Sequence, residues 1–506
     1  MIESRRVRLI DLFAGLEVDR VVGDPDVEIT SLCYSSEQSC AGGLFFCVPG
    51  FVRDGHDFAP DALARGTAAL CVERPLELPV TQVVVPSVRR AMGPAASSFY
   101  GEPSAHLATV GITGTNGKTT SAYLTAHLLD SAGLPSGLLG TVERRVGGKT
   151  LSAGRTTPEA IDIQADLAAM VAGGDRAVVM EVSSHALDLG RVLGITFRVV
   201  AFTNLTQDHL DYHKTLDAYF AAKGRLFLDP DFRKSDPVAV VNVDDAFGRR
   251  LARSYPPERL IIFSCAPRPA EWTEPDLEIR DYDMSDAGMR GTLLVRRPTG
   301  TLVREVRTKL VGAFNVANTL TAVGIGMGLG LDLEHMLQAV STFPGVPGRM
   351  ERVDGGQEFG VVVDYAHTPD SVRNVLATAR GFTKGRIIGV LGCGGNRDRG
   401  KRPKMGRELE LGADIAIITS DNPRSEDPQT IIADMLTGLE SPDDAFVEPD
   451  RKRAIRLAVE MAVQGDVVMI LGKGHESGQE FADSTVPFDD RVVARQAIDD
   501  VLGKGR

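Results

Sequence analysis

Short apolar runs rich in Val, Ile and Leu recur along the whole chain, separated by stretches whose apolar residues return every three or four positions. The runs predict strands buried on both faces, and the stretches between them predict amphipathic helices. Early strand candidates are GLFFCVPG, TAALCVE and TQVVVP; then come LATVGIT, RAVVMEV, FRVVAFTN, PVAVVNV and RLIIFS. The last group is GVVVDYA, RIIGVLG, ADIAIITS and DVVMILG. Alternation of this kind predicts α/β domains with mainly parallel sheets. Pro- and Gly-containing breaks at SFYGEPSAH and TFPGVPGRME divide the chain into segments 1–103, 104–344 and 345–506. Polar and glycine-rich residues follow many of the strands, at the sheet edge where ligands bind in open α/β sheets.

The run LATVGIT leads into GTNGKTT and then a helical pattern that stops at Gly133. A strand, a glycine turn and a helix N-terminus aim backbone N–H groups at one point, where phosphate binds. The spacing departs from the usual phosphate loop, because Ile112 stands where its first glycine belongs. The chemistry is nevertheless complete. Gly114, Thr115, Asn116, Gly117 and Thr120 would supply the cradle, Lys118 would reach the outer phosphates and Thr119 would offer a hydroxyl to Mg²⁺. An ordinary strand–helix turn with an exposed lysine is the alternative.

Two following strands end in candidate metal ligands, Glu181 in VVMEVSSHAL and His209 after VVAFTN. Carboxylate oxygen suits Mg²⁺, and imidazole is a less usual ligand for it. The helix predicted by TLDAYFAAKGRLFLDP, capped by Thr215 and stopped before Pro230, carries Lys223 within an apolar stripe. At helical spacing Leu216, Phe220, Lys223 and Phe227 fall within about 60° of one another. Such a lysine must snorkel, find a partner or lose its charge, and a neutral amine can add CO₂ to form a carbamate.

The formal net charge of −12 argues against a general nucleic-acid binder. No apolar run is long enough to span a membrane, the N-terminus MIESRRVRLIDLF lacks a signal-peptide core, and the six cysteines show no metal-type spacing. These features predict a cytoplasmic protein with reduced thiols. Against this acidic background, GCGGNRDRGKRPKMGR holds six Lys/Arg and one Asp, which points to an anionic ligand. Arg397 occupies the final glycine position of a dinucleotide fingerprint there, which excludes nicotinamide binding. SDNPRSEDP and GKGHE follow the next strands on the same edge.

Taken together, GITGTNGKTT, TTPEA, EVSSHAL, TNLTQDHLDYH, the AAKGRLF lysine, NVDD, GAFNVANTLTA, PGRME, VVDYAHTPDS, GCGGNRDRGKRP, DNPR and GKGHE resemble the Mur ligases of peptidoglycan synthesis. The order and set are most similar to the MurE type, which adds the third amino acid. The resemblance implies a smaller UDP-sugar-binding N-terminal domain, a central ATPase of phosphate-loop type and a C-terminal Rossmann-like doubly wound domain. It implies ATP as co-substrate, Mg²⁺, and a CO₂-derived carbamate on Lys223, with Thr119, Glu181, His209 and the carbamate at the metal. Lys118, Glu181, His209 and Lys223 would be the catalytic set. Asn318, Arg349 and Asp364 would hold adenosine. Thr156, Thr157, Ser183 and Arg191 would hold the UDP-muramoyl dipeptide. Arg397, Asp421, Asn422, Pro423, Arg424, Gly472 and Glu476 would hold meso-diaminopimelate. The implied reaction is ATP-dependent amide ligation through an acyl phosphate, by a monomer acting on small molecules.

Two departures stand out. The family's Asp-Ser-Arg in the uridine turn reads Ser35-Ser36-Glu37, so Ser36 keeps only the hydroxyl, and Leu189 replaces a Gln found in some members. Rival readings are the same ligation with L-lysine, a folylpolyglutamate-synthetase-like ligase, and a nucleotide-binding regulator without ligase activity.

Overall fold

The apolar runs pair into three main sheets in a computed structural model that describes residues 5–50, 52–233, 235–265, 274–285 and 288–503. The first sheet runs Arg20–Val22, Thr81–Val84, Ala69–Val72, Gly43–Phe46, Ser31–Cys33, and only its first pair is antiparallel. Its core extends to Ala160 and Ile161 of the next unit. Tyr34 also donates to Asp162 there (2.7 Å), and Arg90 pairs with Asp231.

The second sheet has eleven strands. Its parallel centre runs Ser136–Leu139, Ala177–Glu181, Ala108–Thr113, Val199–Phe202, Val238–Asn242, Leu260–Ser264. The strand before GTNGKTT therefore lies between the strands ending at Glu181 and Phe202, and the three C-terminal ends share one edge. Most residues of these strands are buried on both faces, which is why they read as near-continuous apolar runs. The far edge is an antiparallel ribbon, Leu277–Ser285, Gly288–Arg297 and Gly300–Thr308, absent from the strands expected from sequence. Its signal is period two rather than a solid run. Met289, Leu293 and Val295 are buried, while Arg290 and Arg297 face outward.

The third sheet runs Glu351–Arg352, Gly360–Asp364, Val467–Leu471, Ile387–Cys393, Ile415–Ser420, Phe446–Val447, parallel except for its first pair. Helices cover both faces over two separate apolar cores, as a doubly wound sheet requires. The fold is thus α/β with three domains. No helix of the described residues is long and apolar enough to cross a membrane.

The lysine-bearing helix spans Leu216–Leu228, and the Thr215 hydroxyl accepts from the Ala218 N–H at its start. Phe220, Lys223 and Phe227 are buried as the stripe predicts. Leu216 is not, at 38% exposed, because the first turn projects beyond the packed face.

Candidate active site

The phosphate loop is shaped by two glycines and the strand beside it. Gly114 (φ +148°) leaves no room for a side chain, since a Cβ would lie 1.9 Å from Thr203 Oγ1. Gly117 (φ +86°) would meet Asn318 Oδ1 at 2.3 Å. The loop is strapped to Thr203 and Asn204. Thr203 Oγ1 donates to the Asn116 carbonyl (2.6 Å), the Thr115 N–H donates to Asn204 O (2.8 Å), and the Asn116 N–H donates to Asn204 Oδ1 (3.0 Å). The helix Lys118–Ser131 starts without a side-chain cap, so its first-turn N–H groups remain available to an anion.

Lys118 Nζ donates to the carbonyls of Gly114 (3.0 Å) and Thr115 (2.9 Å), curling over the loop. Loss of water lowers its pKa below the usual lysine range, opposed by Glu181 and Asp208. Thr119 Oγ1 donates to Glu181 Oε2 (3.0 Å), which joins the two expected metal-binding oxygens directly. Glu181 also accepts from the backbone N–H (2.8 Å) and hydroxyl (3.1 Å) of Thr141. Lys223 lies behind the loop, 1% exposed, and its Nζ donates to the Gly114 carbonyl (2.7 Å). Burial and then the neighbouring Lys118 charge push Lys223 well below the ordinary lysine range.

His209 faces Asp208 (Nε2–Oδ2 3.3 Å) and the His185 ring. Loss of water lowers its pKa to about 3 against the pull of Asp208. Among the described residues no hydrogen bond joins His209 or Lys223 to the Thr119–Glu181 pair, and no three His, Cys, Asp or Glu side chains gather as a metal group.

One cavity of about 1080 Å³ follows the edge where the second and third units meet. Every expected site residue lines it except Ser36, Gly114, Lys223 and Pro423. Ser36 sits in a separate turn, Ser36–Gln38, of the first unit. On one wall the Thr157 hydroxyl donates to the Glu181 carbonyl (2.8 Å) and accepts from the Ser183 N–H (3.1 Å). The Thr156 and Thr141 hydroxyls are hydrogen-bonded to each other (3.1 Å), and Arg191 is held by Glu159 (2.7 Å) and the Thr157 carbonyl (3.2 Å). Among the residues expected to hold adenosine, Arg349 stacks over Tyr365 (4.3 Å) and donates to Thr119 Oγ1 (3.2 Å). Asp364 accepts from the Met350 N–H (2.7 Å), and burial raises its pKa despite Arg349.

The opposite wall comes from the third sheet. Arg424, in the left-handed region at φ +54°, donates to the Gly395 carbonyl (2.9 Å) and pairs with Glu480 (2.7 Å). Asn422 donates to Glu476 (2.8 Å). The basic loop differs from its sequence reading as an anion site. Arg402 is fully buried against Glu426 and Asp434, Arg399 approaches the same two carboxylates, and Arg407 pairs with Glu410 and Glu440. These three of the six cations are thus paired with carboxylates outside the motif, and Arg397 and Lys401 are the loop cations that line the cavity.

Sequence reasoning missed Asp208, although it precedes His209. Lys401 (3.6 Å) and His367 (4.0 Å), both from the third unit, approach its buried carboxylate. Burial alone would raise its pKa, but Lys401, His209 and His367 hold it well below the usual carboxylate range. His475 likewise crosses to the Thr141 carbonyl (3.2 Å).

Fold and site define a phosphate-loop protein of three α/β domains with one shared cleft. Family profiles described as "Mur ligase family, catalytic domain", "Mur ligase middle domain" and "Mur ligase, glutamate ligase domain" match residues 28–100, 112–326 and 348–474. The chain belongs to the Mur ligase family. It is 45% identical over 480 residues to the UDP-N-acetylmuramoyl-L-alanyl-D-glutamate–2,6-diaminopimelate ligase of Geobacillus thermodenitrificans, covering 94% of this chain and 96% of that one. The protein of the same name from Thermosynechococcus vestitus is 46% identical, covering 94% of each. A solved structure bearing that name matches with TM-score 0.67 and 33% identity over 98% of this chain and 99% of that one. Folylpolyglutamate synthase from Mycobacterium tuberculosis shares the fold (TM-score 0.59, 16% identity, 81% of this chain and 94% of that one).

Proposed function

We propose that the protein is an ATP-dependent amide ligase that adds meso-diaminopimelate to UDP-N-acetylmuramoyl-L-alanyl-D-glutamate in peptidoglycan precursor synthesis. The observation that carries this reading is the single cleft, in which the Lys118–Thr119–Glu181 corner lies between the Thr156–Ser183–Arg191 wall and the Arg424–Glu476 wall. Relatives named for this ligation support it over nearly the whole chain.

A carboxylate is a poor electrophile. Its oxygen attacks the γ-phosphorus of ATP, ADP leaves, and an acyl phosphate results. The amine then attacks the acyl carbon and loses a proton, and the tetrahedral oxyanion collapses to amide and phosphate. Negative charge accumulates at both steps, so positioned cations and N–H donors are the main demand on the protein. Lys118 and the helix N-terminus supply them. Mg²⁺, when bound, neutralises phosphate charge, and Thr119 with Glu181 presents the oxygen donors that suit it. His209 and a carbamate on Lys223 would complete its surroundings. Lys223 fits that role because burial and the nearby Lys118 charge disfavour its ammonium form, and the neutral amine can add CO₂ and release one proton to give an anionic carbamate.

The domain limits 1–103, 104–344 and 345–506 are supported by the three sheets and the three family matches that fall inside them. A monomer that acts on small molecules in the cytoplasm completes the proposed reading.

Amino-acid choice tests the reading. Diaminopimelate carries a far carboxylate that lysine lacks, and Arg424 offers a planar fork matched to it. Truncating one partner of a buried charge pair costs about 2–5 kcal/mol. Arg424 is partly exposed and shared with Glu480, so a loss of at least about tenfold in kcat/KM for diaminopimelate is expected for Arg424→Ala. Lysine turnover should change far less. Equal losses for both amino acids would mean that Arg424 shapes the loop rather than reading the substrate.

A further inference from the structure

Directly behind the amino-acid wall lies a cation that the reaction above does not use. Lys473 follows the central strand Val467–Leu471 and has no exposed surface. Its Nζ donates to Asn422 Oδ1 (2.8 Å) and to Glu476 Oε2 (2.9 Å), while Asn422 Nδ2 donates to the same Glu476 oxygen (2.8 Å). The three side chains close a triangle. Two of its corners, Asn422 and Glu476, line the cleft, and the third does not. Asn422 Oδ1 also accepts from the Glu480 N–H (3.0 Å), which ties the triangle to the residue paired with Arg424.

We propose that Lys473 is the positioning residue of the amino-acid site, its buried ammonium holding the Asn422 amide and the Glu476 carboxylate in the orientation that receives the substrate's ammonium group. A buried ammonium persists only where acceptors replace its water, and here the acceptors are the two side chains that face the ligand. Glu476 needs that cation. Burial and neighbouring Asp421 push its carboxyl above the usual range, and Lys473 opposes them. Arg451, and Tyr365 just after the adjoining strand, also interact with it. Without Lys473 the Glu476 carboxylate forms only at higher pH, so the acidic limb of kcat/KM for diaminopimelate shifts upward.

The inference rests on reading this wall as the amino-acid site, and the variants separate the two. Lys473→Met should raise KM for diaminopimelate at least about thirtyfold, with kcat changed less, and move the acidic limb to higher pH. Oxygen exchange between bridging and non-bridging positions of ATP, measured with the UDP substrate and no amino acid, should persist, because it does not use this wall. Lys473→Gln, which keeps hydrogen-bonding capacity without charge, should recover part of KM while retaining the shifted limb. It also guards against a methionine variant that fails to fold. If both variants keep the wild-type KM and limb while Glu476→Gln is impaired, the inference is overturned. It is also overturned if exchange and amide formation fall together in Lys473→Gln. If Glu476→Gln itself leaves the KM for diaminopimelate unchanged, the amino-acid site lies elsewhere and the reading beneath the inference fails.

Discussion

Lys118→Ala is expected to abolish amide formation and ATP positional exchange together. Acyl phosphate formation requires no amine, so the exchange reports phosphoryl transfer alone. Lys118 curls over the loop onto the Gly114 and Thr115 carbonyls, within the cavity that also holds Thr119 and Glu181. Removing one preorganised donor from a developing anion costs about 10²–10³-fold, and removing a full charge should cost no less. Amide formation that survived in this variant would mean that GTNGKTT does not cradle the transferred phosphate.

Lys223→Ala should also be strongly damaging, with a loss of about 10- to 100-fold against the wild type supplied with CO₂, the scale seen when the surroundings of a metal site are lost. The buried amine contacts the Gly114 carbonyl at 2.7 Å, so the alanine variant leaves a small cavity beside the phosphate loop. Short-chain carboxylates that fit there should restore part of the activity, because they replace the carbamate's charge. Full activity without rescue would remove the carbamate from the account. Raising CO₂ should stimulate the wild type and leave the alanine variant unchanged.

The parallel core strands were legible because burial on both faces leaves an apolar run, and the phosphate loop because strand, glycines and helix are contiguous. The Lys223 helix was legible through Thr215, Pro230 and the stripe. The antiparallel ribbon ending at Thr308 escaped because its strands bury one face only, and its Arg and Glu positions mimic a loop. Part of the basic loop's charge is structural, which its own residues do not reveal because Glu426, Asp434, Glu410 and Glu440 lie outside the motif. Asp208 and Lys473 draw their roles from partners supplied by other segments, Lys401 in one case and Asn422 in the other. Local sequence carries no trace of such pairings. Nor does it reveal that Glu480 shares the Arg424 guanidinium.

The most direct test is ADP release by the wild-type protein from ATP and UDP-N-acetylmuramoyl-L-alanyl-D-glutamate, compared with meso-diaminopimelate, with L-lysine and with no amino acid. Sustained release matched by tripeptide product with diaminopimelate, and far slower release in the other two arms, is the predicted result. Preference for lysine, or release that ignores both amino acids, would contradict the account.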